Sequence, residues 1–127
     1  MSIYGIGTDI VDVDRIKNSL KNKNFINRIF NEKEILKCKK INHSINCYAK
    51  RFAAKEAFSK ALGTGISDGV NFNEIVILNN KSGKPYINII GQTKKILNKK
   101  FKSKKSKISL SLSDEKKYAV AFVTISI

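Results

Sequence analysis

A chain of 127 residues is long enough for one compact domain and too short for two. Its hydrophobic fraction of 42% supports a real core and excludes a disordered tail. The formal net charge of +15, from 25 Lys+Arg against 10 Asp+Glu, leaves three readings: the lysine, asparagine and isoleucine bias of an AT-rich genome, nucleic-acid binding, or an acidic partner or polyphosphate ligand steered in by the field.

The N-terminus, MSIYGIGTDI, has neither the basic n-region nor the apolar h-region of a signal peptide. No apolar run approaches the ~20 residues that cross a bilayer, so a soluble, cytoplasmic protein is expected. Residues 3–11, IYGIGTDIV, read as a strand, and Asp12 to about Leu20 as a helix with Asp12 or Asp14 placed to cap it. Residues 25–36, FINRIFNEKEIL, carry a partial helical stripe. The polar stretch 37–46 is expected to be a loop with helical turns. It holds the single histidine, His43, which reads as solvated and leaves no basis for a histidine triad or zinc site. Cys38 and Cys47 have neither metal-like nor secreted spacing and read as reduced thiols.

Residues 46–62 form the clearest helix. Alanines at 49, 53, 57 and 61 make one i,i+4 row suited to close packing, and Gly63 fits the left-handed cap position. EIVIL (74–78) and YINII (86–90) read as strands joined by the turn residues NNKSGKP, and QTKKILNKKF (92–101) as a short amphipathic helix. KISLSLS and YAVAFVTI, joined by SDEKK, read as a second hairpin. The basic run 99–107 reads as a solvated helix end and loop.

On the central helix, Phe52, Glu56 and Lys60 share one i,i+4 row and Arg51, Lys55 and Ser59 the next. Taken alone, Glu56 and Lys60 make an ordinary surface pair. Asp9 is harder to set aside, because carboxylates are depleted in strands and costly when buried unless paired or bound to a metal. One carboxylate from a strand and one from a helix, among many cations, suits magnesium, which takes one or two carboxylates and fills its octahedron with waters and phosphate oxygens. The chain has no G-x-x-x-x-G-K-[ST] loop and no G-x-G-x-x-G, so a standard NTPase or dinucleotide enzyme is not indicated.

GIGTDIVDVDRI, RFAAKEAFSKALGTGI, NKSGKPYI and SLSDEKKYAVAFV, in that order over nearly the whole chain, closely resemble holo-[acyl-carrier-protein] synthase, the short bacterial 4′-phosphopantetheinyl transferase family. The resemblance implies an α+β fold: a single compact domain over residues 1–127, with an antiparallel sheet packed against a long central helix. It implies Asp9 and Glu56 as magnesium ligands and Lys60 against the phosphates of coenzyme A. Arg51 and the Gly83–Lys84–Pro85 turn would hold the nucleotide end. Arg15, assisted by Arg28, would grip an acidic acyl carrier protein. Three chains would associate with active sites at their interfaces, so Arg51 would serve a neighbour's site. Where many members of the family have Ser-x-x-His, this chain has Ser111-Leu112-Ser113-Asp114, and an anionic Asp114 cannot replace a histidine against phosphate.

The implied reaction is phosphoryl transfer for fatty acid synthesis. A serine hydroxyl of the apo carrier attacks the β-phosphorus of coenzyme A, and adenosine 3′,5′-bisphosphate leaves. A metal-bound water, one of the carboxylates or Lys60 could take the serine proton, and the sequence leaves this open. A small basic nucleic-acid-binding module accounts for the charge but not for Asp9 and Glu56, and the chain carries no RNP, KH or zinc-finger signature, so neither nucleic acid nor membrane is expected as a partner.

Overall fold

The computed structural model describes residues 1–63, 69–102 and 104–127. In chain order it comprises β1 (Ile3–Asp12), α1 (Val13–Ser19), α2 (Lys23–Ile29), α3 (Glu32–Lys39) and α4 (Ser44–Leu62). A 3-10 turn (Phe72–Glu74), β2 (Ile75–Asn79), β3 (Pro85–Ile89), α5 (Gly91–Phe101), β4 (Lys107–Asp114) and β5 (Tyr118–Ser126) follow. The larger sheet has the order β1-β5-β4, antiparallel throughout, and β2 and β3 form a separate hairpin. The antiparallel sheet expected against the long central helix is the three-stranded one, and β2–β3 makes a second sheet of two strands. Residues 64–66 of the middle motif lie outside the described residues.

Glycine spacing sets how closely the layers meet. Alternation along β1 puts Gly5, Gly7 and Asp9 on the face turned to α4. A Cβ on Gly7 would stand 1.9 Å from the Ala57 carbonyl oxygen, and one on Gly5 1.9 Å from that of Ala61. The alanine row on α4 makes the complementary surface: Ala49, Ala53, Ala57 and Ala61 are all buried. Strand and helix thus touch backbone to backbone, and the next residue on that face, Asp9, is carried to the flank of the helix. Gly7→Ala is expected to cost about 3 kcal/mol, because the obstacle is backbone that cannot rotate away. Urea unfolding measures this, and a loss under about 1 kcal/mol would contradict the close contact.

The cap of α1 is Asp12, whose Oδ1 accepts from the backbone N–H of Asp14 and Arg15. That leaves Asp9 outside any capping role. Gly63 ends α4 with φ +86°. The stripe over 25–36 is broken in two. Phe30 is extended, and Asn31 starts α3 with a capping box in which its side chain accepts from Lys33 N–H while Glu34 accepts from the Asn31 N–H. So α3 continues to Lys39, through residues expected to be loop.

The same folding back corrects the reading of the cysteines. Cys38 on α3 and Cys47 on α4 form a disulfide, with Cα atoms 5.5 Å apart. Sequence spacing alone does not reveal that α3 returns along α4. By loop closure, the bridge contributes about 2–3 kcal/mol for a loop of this size. Reduction, or Cys38→Ser, should lower the urea-unfolding free energy by about that amount, and an unchanged midpoint would show that the bridge adds nothing.

Candidate active site

Asp9 and Glu56 line one cavity of about 440 Å³, together with Arg15, Phe25 and Phe52. Asp9 arrives from β1 by the glycine contact and Glu56 from the flank of α4. The Asp9 side chain is 14% exposed. Its Oδ1 accepts from Lys60 Nζ at 3.1 Å, and the same ammonium donates to the Thr8 carbonyl at 3.0 Å. The expected Glu56–Lys60 surface pair is thus replaced, since Lys60 reaches across to the strand. With Lys60 56% exposed, that bond fixes geometry more than it adds stability.

Glu56 has no hydrogen-bond partner among the described residues. Burial, and then the negative charge of Asp9, push its carboxyl above the usual range, while Lys60 pulls it back. Asp9 and Glu56 thus face one cavity, with Lys60 bonded to Asp9 and Arg15 on the wall, while the third carboxylate of the lining, Asp12, is committed to the cap of α1. A hard divalent cation would balance the Asp9–Glu56 pair. The donor set fits magnesium bound by two carboxylates with the remaining positions left to water and phosphate oxygens. Among the described residues no cluster of three or more His, Cys, Asp and Glu forms a fuller metal cage.

Arg15, in the first turns of α1, lines the Asp9–Glu56 cavity. Arg28, at the end of α2, lines an adjoining groove of about 440 Å³ whose walls are mainly Phe25, Ile29, Phe52, Val70 and Phe72. Glu56 borders both spaces. Five of the sequence-predicted residues (Asp9, Glu56, Lys60, Arg15 and Arg28) therefore gather around one continuous region. Phe25 and Phe52, which divide it, carried no functional signal in the sequence beyond their place in a helical stripe.

The remaining four stand elsewhere. Arg51 is five positions before Glu56 on α4 and so faces a different direction. It is buried at a cleft of about 240 Å³ shared with Lys33, Lys37, Asn79 and Tyr86. Gly83, with φ +88°, and Lys84 and Pro85 form the β2–β3 turn on that side. One copy of the chain thus presents two separate groups, the paired carboxylates and the Arg51–turn group. Asp114 joins neither. It accepts from Asn46 Nδ2 at 2.8 Å and lies 3.6 Å from Lys50 Nζ, tying the end of β4 to the start of α4.

The family model of the 4′-phosphopantetheinyl transferase superfamily matches residues 5–123, spanning both groups. The chain belongs to that superfamily. The holo-[acyl-carrier-protein] synthase of Pelagibacter ubique is 53% identical over 125 residues, covering 98% of each chain. The crystal structure of the Neisseria meningitidis holo-[acyl-carrier-protein] synthase matches with a TM-score of 0.86 at 40% identity, over 98% of this chain and 99% of that one. The Helicobacter pylori synthase, solved in complex with coenzyme A, matches with a TM-score of 0.77 at 33% identity, over 95% and 99%. Among phosphopantetheinyl transferases, then, this chain presents its carboxylate pair on β1 and α4.

Proposed function

We propose that the chain, acting as one domain over residues 1–127, transfers 4′-phosphopantetheine from coenzyme A to a serine of apo acyl carrier protein for fatty acid synthesis. Adenosine 3′,5′-bisphosphate is the second product. The observation that carries this reading is the Asp9–Glu56 pair at one cavity with Lys60 and Arg15 beside it, in a chain of this superfamily. Asp9 and Glu56 hold magnesium, which when bound neutralises charge on the pyrophosphate. Lys60 is tethered to Asp9 and the Thr8 carbonyl and keeps half its surface open to a phosphate. Because the nucleophile belongs to the partner, the chain itself needs no activated serine or cysteine.

Arg15 and Arg28 lie at the two adjoining spaces and meet the acidic carrier, whose encounter the net charge of +15 accelerates. Arg51 and the Gly83–Lys84–Pro85 turn hold the nucleotide end of coenzyme A. Since one copy keeps this group apart from the carboxylates, a complete site is built between copies. A homotrimer accomplishes that, and the outer face of the larger sheet supports one: Ile6, Ile10 and Phe122 are 61%, 63% and 46% exposed on neighbouring strands. The reaction runs in the cytoplasm; among the described residues no helix is long and apolar enough to cross a membrane.

The test is to incubate the protein with apo carrier, coenzyme A and Mg²⁺ and to weigh the carrier by mass spectrometry. A gain of one phosphopantetheine arm is expected. No gain with folded protein and a cognate carrier would overturn the reading.

A further inference from the structure

Arg51 is 4% exposed, and no carboxylate lies within ion-pair distance of it among the described residues. Its Nη1 donates to the Cys47 carbonyl at 3.4 Å and the Cys47 Sγ at 3.2 Å, and its Nη2 to Asn79 Oδ1 at 2.9 Å, while Nε has no partner. A buried guanidinium held only by neutral acceptors depends on each of them for its position. Two of these acceptors sit one turn back on the same helix. Asn79 is the one that reaches Arg51 from another element.

The second half of the same amide turns the other way. Asn79 Nδ2 donates to the Gly83 carbonyl at 3.0 Å, across the β2–β3 turn. Asn80 braces that turn from within, its Oδ1 accepting from the backbone N–H of Ser82 and Lys84. Among the described residues it makes no bond to α4. The turn is thus rigid in itself through Asn80 and registered against the helix through Asn79.

We infer that Asn79 is a positioning residue whose one amide fixes the Arg51 guanidinium and the Gly83–Lys84–Pro85 turn relative to each other, so that both meet the nucleotide end of coenzyme A as a single preformed unit. The inference rests on the proposal that Arg51 and this turn hold that nucleotide. A residue acting this way affects binding of the nucleotide, not the chemistry at the carboxylate pair.

Asn79→Ala removes both bonds. It should raise KM for coenzyme A and the Kd of adenosine 3′,5′-bisphosphate, measured by calorimetry, by about tenfold each, with kcat within about twofold of wild type. Asn79→Asp keeps the acceptor for Arg51 and loses the donor to Gly83, so it should fall between the two; it also serves as the readout if Asn79→Ala does not fold. Lys84→Ala, on the turn itself, reports on the underlying proposal. If Lys84→Ala weakens nucleotide binding while folded Asn79 variants bind as wild type, with or without a lower melting temperature, the positioning role is overturned alone. If Lys84→Ala and Arg51→Ala both leave the Kd unchanged, the turn does not hold the nucleotide and both proposals fall.

Discussion

Glu56→Gln should reduce phosphopantetheine transfer at least about a thousandfold, a loss of ~4 kcal/mol in transition-state stabilisation, while leaving the fold intact. The size follows from the position of Glu56. With Asp9 it makes the pair of carboxylates at the cavity that is free of the α1 cap, where Asp12 is committed, and an amide supplies neither its charge nor its second anionic oxygen. The stability forecast follows from the same setting. Burial and the Asp9 charge already push the Glu56 carboxyl up, so its ionised form is uncomfortable in the fold. A raised folded-state value favours the folded state at low pH and disfavours it as pH rises through the carboxylate range. Removing the charge should therefore leave the melting temperature at neutral pH unchanged or slightly higher. Stability held while activity is lost is the signature of a functional carboxylate, and a Glu56→Gln enzyme retaining a tenth of the wild-type rate would refute the ligand role. If Glu56 holds the metal as proposed, acid competes with that metal at this carboxyl in the wild type. The Mg²⁺ concentration giving half-maximal rate should rise as pH falls.

The second large effect concerns stability. Lys55 stands beside Glu56 in the motif, yet it is fully buried and its ammonium has three acceptors: Glu34 Oε1 at 2.7 Å, the Phe72 carbonyl at 2.8 Å and the Ile75 carbonyl at 2.5 Å. Glu34, also fully buried, accepts in addition from the backbone N–H of Asn31 and Ile77. The pair joins α3, α4, the 3-10 turn and β2. Breaking such a pair from one side strands a buried charge, so Lys55→Met should cost about 3–5 kcal/mol, a large part of the 5–15 kcal/mol typical of a domain. Glu34→Gln added to Lys55→Met removes the stranded anion and should recover part of that loss. Urea unfolding reads both, and a cost under about 1 kcal/mol for Lys55→Met would show that the pair is dispensable. The pH dependence has a definite sign. Burial lowers the Lys55 ammonium from 10.5 to about 8, with Glu34 pulling the other way. Between those values the unfolded chain binds more protons, so the contribution of Lys55 makes stability rise with pH through that window, and Lys55→Met should flatten the rise.

Much of this was legible in the sequence because it is local. A carboxylate in an apolar strand, glycines two apart before it, a four-residue alanine row and a glycine at a helix end all report on neighbours within one or two turns. Asp9, Gly5, Gly7, Ala57 and Gly63 behave accordingly. The break at Asn31 was also within reach, since Asn31 and Glu34 have the spacing of a capping box. The apolar residues on either side hid it by continuing a helical stripe. The misread features depend on distant contacts. Arg51, Lys55 and Ser59 read in the sequence only as a second polar row, but α3 and β2 cover that side of α4, and the partners of Lys55 lie 17 to 21 residues away in sequence. The Cys38–Cys47 bridge likewise exists only because α3 folds back on α4. Asn79 carried no signal because its meaning lies in two bonds across different elements.

The central claim is that Asp9 and Glu56 hold the metal on which transfer depends. Its most direct test is the initial rate of carrier modification in chelator-treated enzyme as Mg²⁺ is added back, for wild type, Asp9→Asn and Glu56→Gln side by side. Wild type should rise from a negligible rate to saturation, and both variants should stay near the baseline across the same range. A wild-type rate that is full in the presence of chelator, or variants that saturate like wild type at the same Mg²⁺ concentration, would contradict the assignment.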